Sequence, residues 1–218
     1  MLETLNQLDQ ELLLYLNSLH SSFFDSFMYL ISGKLVWALF YLSIIVQIYR
    51  TYGWRNCLYL VLAIVLVIIC CDQMASGILK PTFQRFRPSR SPELSNLVHI
   101  VNGYRGGKYG FASSHAANVF GLATFCSLLF RKRYLSIFLF SWAVLVSYSR
   151  IYLGVHYPGD IIVGMFIGLS FGYAIYKALP LFKFLKIDQA SPQRDWKWDL
   201  TSWGSLSILG MLLISLFK

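Results

Sequence analysis

Three short stretches concentrate the residues that can handle a phosphoryl group. Lys80-Pro-Thr-Phe-Gln-Arg-Phe-Arg87-Pro88 carries a lysine and an arginine, Ala112-Ser113-Ser114-His115 sets two hydroxyls before a histidine, and Ser149-Arg150 is followed by His156 and then Asp160. A transferring phosphoryl group spreads negative charge over its oxygens, so its catalysis is largely positioning and electrostatics. Lys80, Arg87 and Arg150 supply fixed positive charge, and arginine can grip two oxygens at once. Ser113, with Ser114 beside it and the amides near the start of a helix at His115, can donate further bonds to phosphate. Pro158 suits the first turn of a helix. Asp160 then lies in that turn, where its carboxylate can reach back to the His156 ring. Such a bond fixes the tautomer and stabilises the imidazolium. The other ring nitrogen is left to attack phosphorus and form a phosphohistidine. His115, on a separate segment, is placed to protonate the leaving oxygen. No carboxylate cluster or Cys/His ligand set offers to hold a metal. The expectation is therefore catalysis without metal or cofactor, with the cations doing the neutralising work.

These stretches resemble the three signature motifs of the type 2 phosphatidic acid phosphatase superfamily, which includes lipid phosphate phosphatases, bacterial acid phosphatases and vanadium haloperoxidases. The Ser-Arg, His and Asp pattern is the most specific of the three. At ~5% usage per residue type, its four fixed positions match about once in 10⁵ starts. The second motif departs from the usual Pro-Ser-Gly-His, with Ala112 in place of Pro and Ser114 in place of Gly. A positive φ at residue 114 would strain a serine. The resemblance covers residues 80–160 and assigns His156, Asp160 and His115 the same roles as their chemistry does.

The elements that must hold these residues apart and together are apolar. Of 218 residues, 56% are hydrophobic, 17% aromatic and only 13% charged, against about 25% charged in a soluble domain. Lipid is the expected solvent. Apolar runs occupy 27–49, 56–79, 115–130, 134–151, 159–179 and 202–217. A spanning helix needs about 20 residues, so the last run either spans with tilt or is re-entrant. Open sheets are excluded at membrane depth by their unpaired backbone groups. The predicted fold is all-α, a polytopic transmembrane bundle of five or six spans forming one domain over 1–218. Glu3, Asp9 and Glu11 argue against a cleavable signal. Leu5, Leu8, Leu12, Leu13 and Leu16 recur at helical spacing and predict an amphipathic helix on the membrane surface. Asp160, Gly164, Gly168 and Gly172 form one stripe, which turns Asp160 into the bundle. The four cysteines, Cys57, Cys70, Cys71 and Cys126, read as buried small hydrophobes.

A net charge of +9 comes without a nucleic-acid motif, so topology and anionic headgroups are the expected uses. Alternating the spans puts Arg50, Arg55, Arg131, Lys132, Arg133, Lys177 and the bases of 183–199 on one side. The 80–114 loop and the 150–158 turn fall on the other. The positive-inside rule makes the first side cytoplasmic, which places the site outside a bacterial cytoplasmic membrane, facing the periplasm. Arg85, Arg90, Arg105 and Lys108 read mainly as solvated or headgroup-facing cations. His20 and His99 read as interfacial residues, and Asp72 as a structural hydrogen bonder or a neighbour of the site. Tyr104 to Gly110 reads as a lid or a plain loop.

The expected partner is a phosphorylated lipid in the bilayer. Among the substrates the resemblance implies, undecaprenyl diphosphate ranks first, narrowly ahead of lipid A phosphate, with phosphatidylglycerophosphate and phosphatidate behind. A lipid phosphotransferase shares the chemistry. A vanadium haloperoxidase is opposed by the spans, and a transporter or scaffold by the intact set of reactive residues.

Overall fold

The computed structural model describes residues 2–181 and 200–216. The chain runs α1 (Leu2–Ser18), α2 (Ser22–Ile31), α3 (Ala38–Asp72), a π-helical stretch Gln73–Leu79, α4 (Lys80–Phe83), a long loop, α5 (Ser114–Phe130), α6 (Arg133–Tyr152), α7 (Pro158–Ala178) and α8 (Leu200–Leu216). Among the described residues the only extended pairing is an isolated bridge between Phe86 and Tyr109. The helical stretches Leu35–Phe83, Arg133–Tyr152 and Pro158–Leu181 are long and apolar enough to cross a membrane, and Ser22–Ile31, Ser114–Phe130 and Leu200–Leu216 are shorter apolar helices. The all-α membrane bundle is as expected. The basic stretch with Lys183, Lys186, Arg194 and Lys197 lies outside the described residues.

One of the apolar runs folds differently from a simple span, and the connection after it turns within what is otherwise continuous helix. The run 27–49 is broken, because α2 stops at Ile31 and helix resumes beyond Ser32-Gly33-Lys34. Trp37 explains the stop. Its indole donates to the Ile31 carbonyl at 3.0 Å, which satisfies a backbone acceptor orphaned at the helix end. α3 is not one rod either. Gly53 has φ 76 and ψ 171, and Cys57 Sγ meets the Ile45 carbonyl at 3.7 Å, 12 residues away in sequence. Unbroken helix would separate those residues by about 18 Å. The chain therefore reverses at Gly53, in a conformation that glycine adopts without steric cost.

α5 is the central helix. Ala116, Ala117, Phe120, Leu122, Ala123, Phe125 and Cys126 are all buried, as fits a helix apolar on every side. α7 meets it along Asp160, Gly164, Gly168 and Gly172, all four buried. A Cβ at Gly164 would lie 2.4 Å from the Ser113 carbonyl oxygen, so the two backbones touch. The stripe read from the sequence is thus the α5–α7 seam, and it fixes the start of α7 against the start of α5.

α1 forms as expected but buries a different face. Leu13 and Asn17 are buried, while Leu5, Leu8, Leu12, Tyr15 and Leu19 stay exposed. Asn17 anchors it, donating to the Tyr152 carbonyl at 2.7 Å and accepting from the His99 amide at 2.7 Å. Asp9, Leu13 and Asn17 dock on the protein, and Leu5, Leu8 and Leu12 face outward.

Candidate active site

The starts of α5 and α7, the end of α6 and the loop after α4 converge at one end of the bundle. His156 precedes α7 and is 1% exposed, and Asp160 in the first turn is fully buried. Asp160 Oδ2 accepts from His156 Nδ1 at 3.2 Å and from the Tyr157 amide at 3.1 Å. The second bond satisfies an N-terminal amide of α7 and locks the carboxylate rotamer. With Nδ1 facing a carboxylate, the proton sits there, and Nε2 is the acceptor. Arg87 Nη1 donates to Nε2 at 3.0 Å. Burial first, then the Arg87, Arg150 and Lys80 charges, hold the imidazole well below its usual value of 6.5. A neutral ring with an unprotonated Nε2 is what attack on phosphorus requires, once Arg87 gives up its hydrogen bond to that nitrogen.

Arg87 itself is clamped. Its Nε donates to the Tyr109 carbonyl at 3.1 Å, and Nη1 also reaches the Val155 carbonyl at 3.1 Å. Burial, with Arg150 nearby, brings its pKa down to about 10, so it remains a cation at neutral pH. Arg150, 2% exposed, donates to the hydroxyls of Ser32 and Tyr104. Its Nε is buried without a partner. On the other flank, Lys80 Nζ donates to Ser114 Oγ at 2.7 Å and to Ser76 Oγ at 2.9 Å. Ser76 lies between Asp72 and Ser114, at 3.3 Å and 2.9 Å. Asp72 therefore joins the site at one remove.

Ser113 is the N-cap of α5, and its Oγ accepts from the Ala116 amide at 3.4 Å. That use still leaves the hydroxyl proton free to donate. Ser114 is the first residue of α5 and has no positive φ, so a serine fits there without strain. His115 follows on the same turn and lines a cavity with Ser114, Asp72 and Lys34.

The glycine-rich loop is a wall. The Arg87 amide donates to the Lys108 carbonyl at 3.1 Å, and the Gly110 amide to that of Arg85 at 2.9 Å. A Cβ at Gly110 would fall 3.0 Å from Asp160 Oδ2 and 3.6 Å from His156 Nδ1. Only glycine lets the backbone close over that pair. Arg90 and Arg105 are spent on loop carbonyls at Gly106 and Ser89. Lys108 sits over the Phe86 and Tyr109 rings. His99 bonds Asp25 at 3.0 Å and stacks on His20, away from the site.

Arg85 is the residue whose sequence reading fell short. Its Nη1 reaches Asp160 Oδ1 at 3.1 Å, its Nη2 reaches Asp9 Oδ2 at 2.8 Å, and its guanidinium lies 3.8 Å over the Tyr157 ring. Asp9 also accepts from the Gly159 amide at 2.7 Å. An available signal was the Arg85-Phe86-Arg87 spacing, since extended backbone points alternate side chains the same way. Asp9 carried no such signal.

The model of the PAP2 superfamily matches residues 56–183. The chain belongs to the PAP2 superfamily. It is 48% identical over 178 residues to a lipid A 4'-phosphatase of Bacteroides thetaiotaomicron, covering 81% of this chain and 79% of that protein. A lipid A 4'-phosphatase of Porphyromonas gingivalis is 40% identical over 176 residues, covering 81% and 75%. The crystal structure of Aquifex aeolicus LpxE superposes with a TM-score of 0.59 at 30% identity, over 77% of this chain and 93% of that one. The PAP2-type phosphatidylglycerolphosphate phosphatase of Bacillus subtilis shares the fold, with a TM-score of 0.62 at 20% identity over 84% and 90%. This PAP2 protein is an integral membrane lipid phosphatase. The PAP2 match begins at residue 56, so α1 and α2, which supply Asp9 and the Arg150 partner region, lie before it.

Proposed function

We propose that the protein removes the 4'-phosphate of lipid A at the outer face of the bacterial cytoplasmic membrane, through a phosphohistidine at His156. The substrate reading is carried by the two relatives of that activity, 48% and 40% identical over 81% of the chain. They favour lipid A over undecaprenyl diphosphate, which ranked first on sequence alone. The site geometry supports the chemistry. Lys80, Arg87 and Arg150 with Ser113 and Ser114 receive the phosphate oxygens, and Arg87 turns from Nε2 to the incoming anion. His156 Nε2 attacks phosphorus as the bond to the sugar oxygen breaks. Asp160 stabilises the imidazolium charge, and His115 gives its proton to the departing oxygen. Water, deprotonated by His115, then cleaves the phosphorus–nitrogen bond and releases inorganic phosphate.

The test is phosphate release by the purified protein from a panel of lipid A, undecaprenyl diphosphate, phosphatidylglycerophosphate and phosphatidate, with EDTA present. Lipid A is expected to lose its 4'-phosphate fastest, and His156→Ala to abolish release. Preference for another lipid would overturn the substrate, loss of activity with EDTA and recovery with Mg²⁺ the metal-free chemistry, and an active His156→Ala the nucleophile.

A further inference from the structure

Behind the residues that face the phosphate, a chain of polar contacts leads away from Asp160 and ends on α1, at Asp9. The Asp9 side chain is 15% exposed. Its Oδ2 pairs with Arg85 Nη2 at 2.8 Å, and its Oδ1 accepts from the Gly159 amide at 2.7 Å. Arg85 Nη2 also donates to Asn6 Oδ1 at 2.9 Å, while Nη1 reaches Asp160 Oδ1 at 3.1 Å. The Gly159 amide belongs to the first turn of α7, where backbone donors have no partner within the helix. The partner comes instead from α1, 150 residues earlier in the chain. A Cβ at Gly159 would fall 2.8 Å from Asp9 Oδ2, so glycine is what lets the carboxylate come this close.

This arrangement divides the Arg85 fork. A guanidinium alone with a carboxylate commonly closes two N–H groups on its two oxygens. Here Nη2 is taken by Asp9 and Asn6, so Asp160 receives Nη1 only, and at Oδ1. Oδ2 stays with His156 Nδ1 and the Tyr157 amide, at 3.2 Å and 3.1 Å. Asp9 also sets a negative charge against Arg85, which leaves more of the Asp160 charge to the imidazolium that forms at His156. A part-exposed ion pair of this kind adds little to stability. What it fixes is the direction of the Asp160 carboxylate and of the α7 amide beside it.

We propose that Asp9 is a positioning residue for phosphoryl transfer, acting from α1 through Arg85 and Gly159 to hold Asp160 in the orientation that His156 needs. The proposal rests on the reading of His156 as the nucleophile. It makes α1, which lies before the PAP2 match, part of the working site. The competing account is that Asp9 only docks α1 on the bundle, and Asn17 provides the control for it. Asn17 anchors the same helix, but its bonds go to Tyr152 and His99 and not to Arg85 or Asp160.

The experiment assays the full chain in detergent with lipid A and with p-nitrophenyl phosphate, reading kcat per folded molecule, KM and the thermal midpoint. Asp9→Asn keeps an oxygen for the Gly159 amide and removes the charge. It is expected to lower kcat about tenfold on both substrates, as lost orientation does, with KM and the midpoint little changed. Asn17→Ala is expected to lower the midpoint and keep kcat. Adding Asp9→Asn to Arg85→Gln should slow the enzyme no further, because residues acting through one contact are not additive. If Asp9→Asn is not recovered folded, Gly159→Ala takes its place: its Cβ displaces the Asp9 carboxylate, and the same fall in kcat is expected. Unchanged kcat in the variant used, a rise in KM alone, or a loss confined to lipid A overturns the proposal. An equal loss of kcat in Asn17→Ala, or losses that multiply in the double variant, also overturns it in favour of docking alone. An active His156→Ala overturns the nucleophile and this proposal together, whereas an inactive His156→Ala beside a fully active Asp9→Asn overturns this proposal only.

Discussion

Two contacts and burial define the state of the His156 ring. Asp160 accepts the Nδ1–H hydrogen bond, Arg87 meets Nε2, and the ring is buried among cations that keep it neutral. The sign of the pH effect follows. An unfolded histidine gains a proton near 6.5, whereas folded His156 does so only at much lower pH, so below 6.5 the unfolded chain binds more protons. His156 therefore costs no stability above that pH and an increasing amount as pH falls beneath it. NMR titration of the free enzyme in detergent checks this: the His156 imidazole should stay neutral at pH 6, and a half-protonated ring there would contradict the reading. Arg85 touches no reacting atom but holds the far oxygen of Asp160. Arg85→Gln is expected to lower kcat roughly ten- to a hundredfold, as loss of orientation does, with KM little changed. Arg85→Lys should recover little, since an ammonium replaces neither the two-pronged grip nor the ring stacking. A raised KM at unchanged kcat would make Arg85 a substrate contact instead. The candidate set was legible as a cluster because its spacing is local, with His156, Asp160 and Arg150 on one short run. Asp9 was not, since its partners Arg85 and Gly159 lie far along the chain.

Among the elements, α5 and α7 do most of the positioning. Their seam joins Ser113 to Asp160, whose carbonyl accepts from the Ser113 amide at 3.0 Å, so the segments carrying His115 and His156 are held as one unit. Gly168 is the middle of that seam, and a Cβ there would lie 2.4 Å from the Ala117 carbonyl. Gly168→Leu must push the helices apart. It is expected to lower the thermal unfolding midpoint in detergent, at a cost of about 1–3 kcal/mol or more for overpacking, and to lose activity even where protein is recovered. Unchanged stability and activity would mean the seam does not position the site. This stripe was readable, because small residues at four-residue spacing have one obvious use. The reversal at Gly53 was readable too, because it falls in the short connection between Arg50 and Arg55 that separates two apolar runs. The break after Ile31 was not, since it interrupts apolar sequence, and hydropathy measures how well a run suits lipid without measuring its direction. The docking face of α1 was hidden for a related reason. Asp9, Leu13 and Asn17 make one stripe of mixed polarity, which an apolar count passes over in favour of the leucines that stay outside.

Across the whole molecule, charge and chemistry divide by end. His115 opens α5 and Arg150 closes α6, while Arg131, Lys132 and Arg133 sit at the α5–α6 junction. The 17 residues of α5 separate the two ends by about 25 Å, close to the depth of a bilayer core. A plain count of bases hardly distinguishes the ends. The structure changes what should be counted. Arg87 and Arg150 are buried, and Lys80 is tied to Ser76 and Ser114, so these cations are engaged within the protein and leave the topology count. The Arg131–Arg133 cluster then dominates the count, and by the positive-inside rule we propose that it lies in the cytoplasm. On this proposal the end that carries His115 and His156 faces outward. In spheroplasts, with the four native thiols removed, a cysteine at exposed Glu93 in the catalytic loop should react with a membrane-impermeant maleimide. One at exposed Arg133 should react only after lysis. The reverse pattern would put the site in the cytoplasm, and a lipid presented in the outer leaflet could not be its substrate.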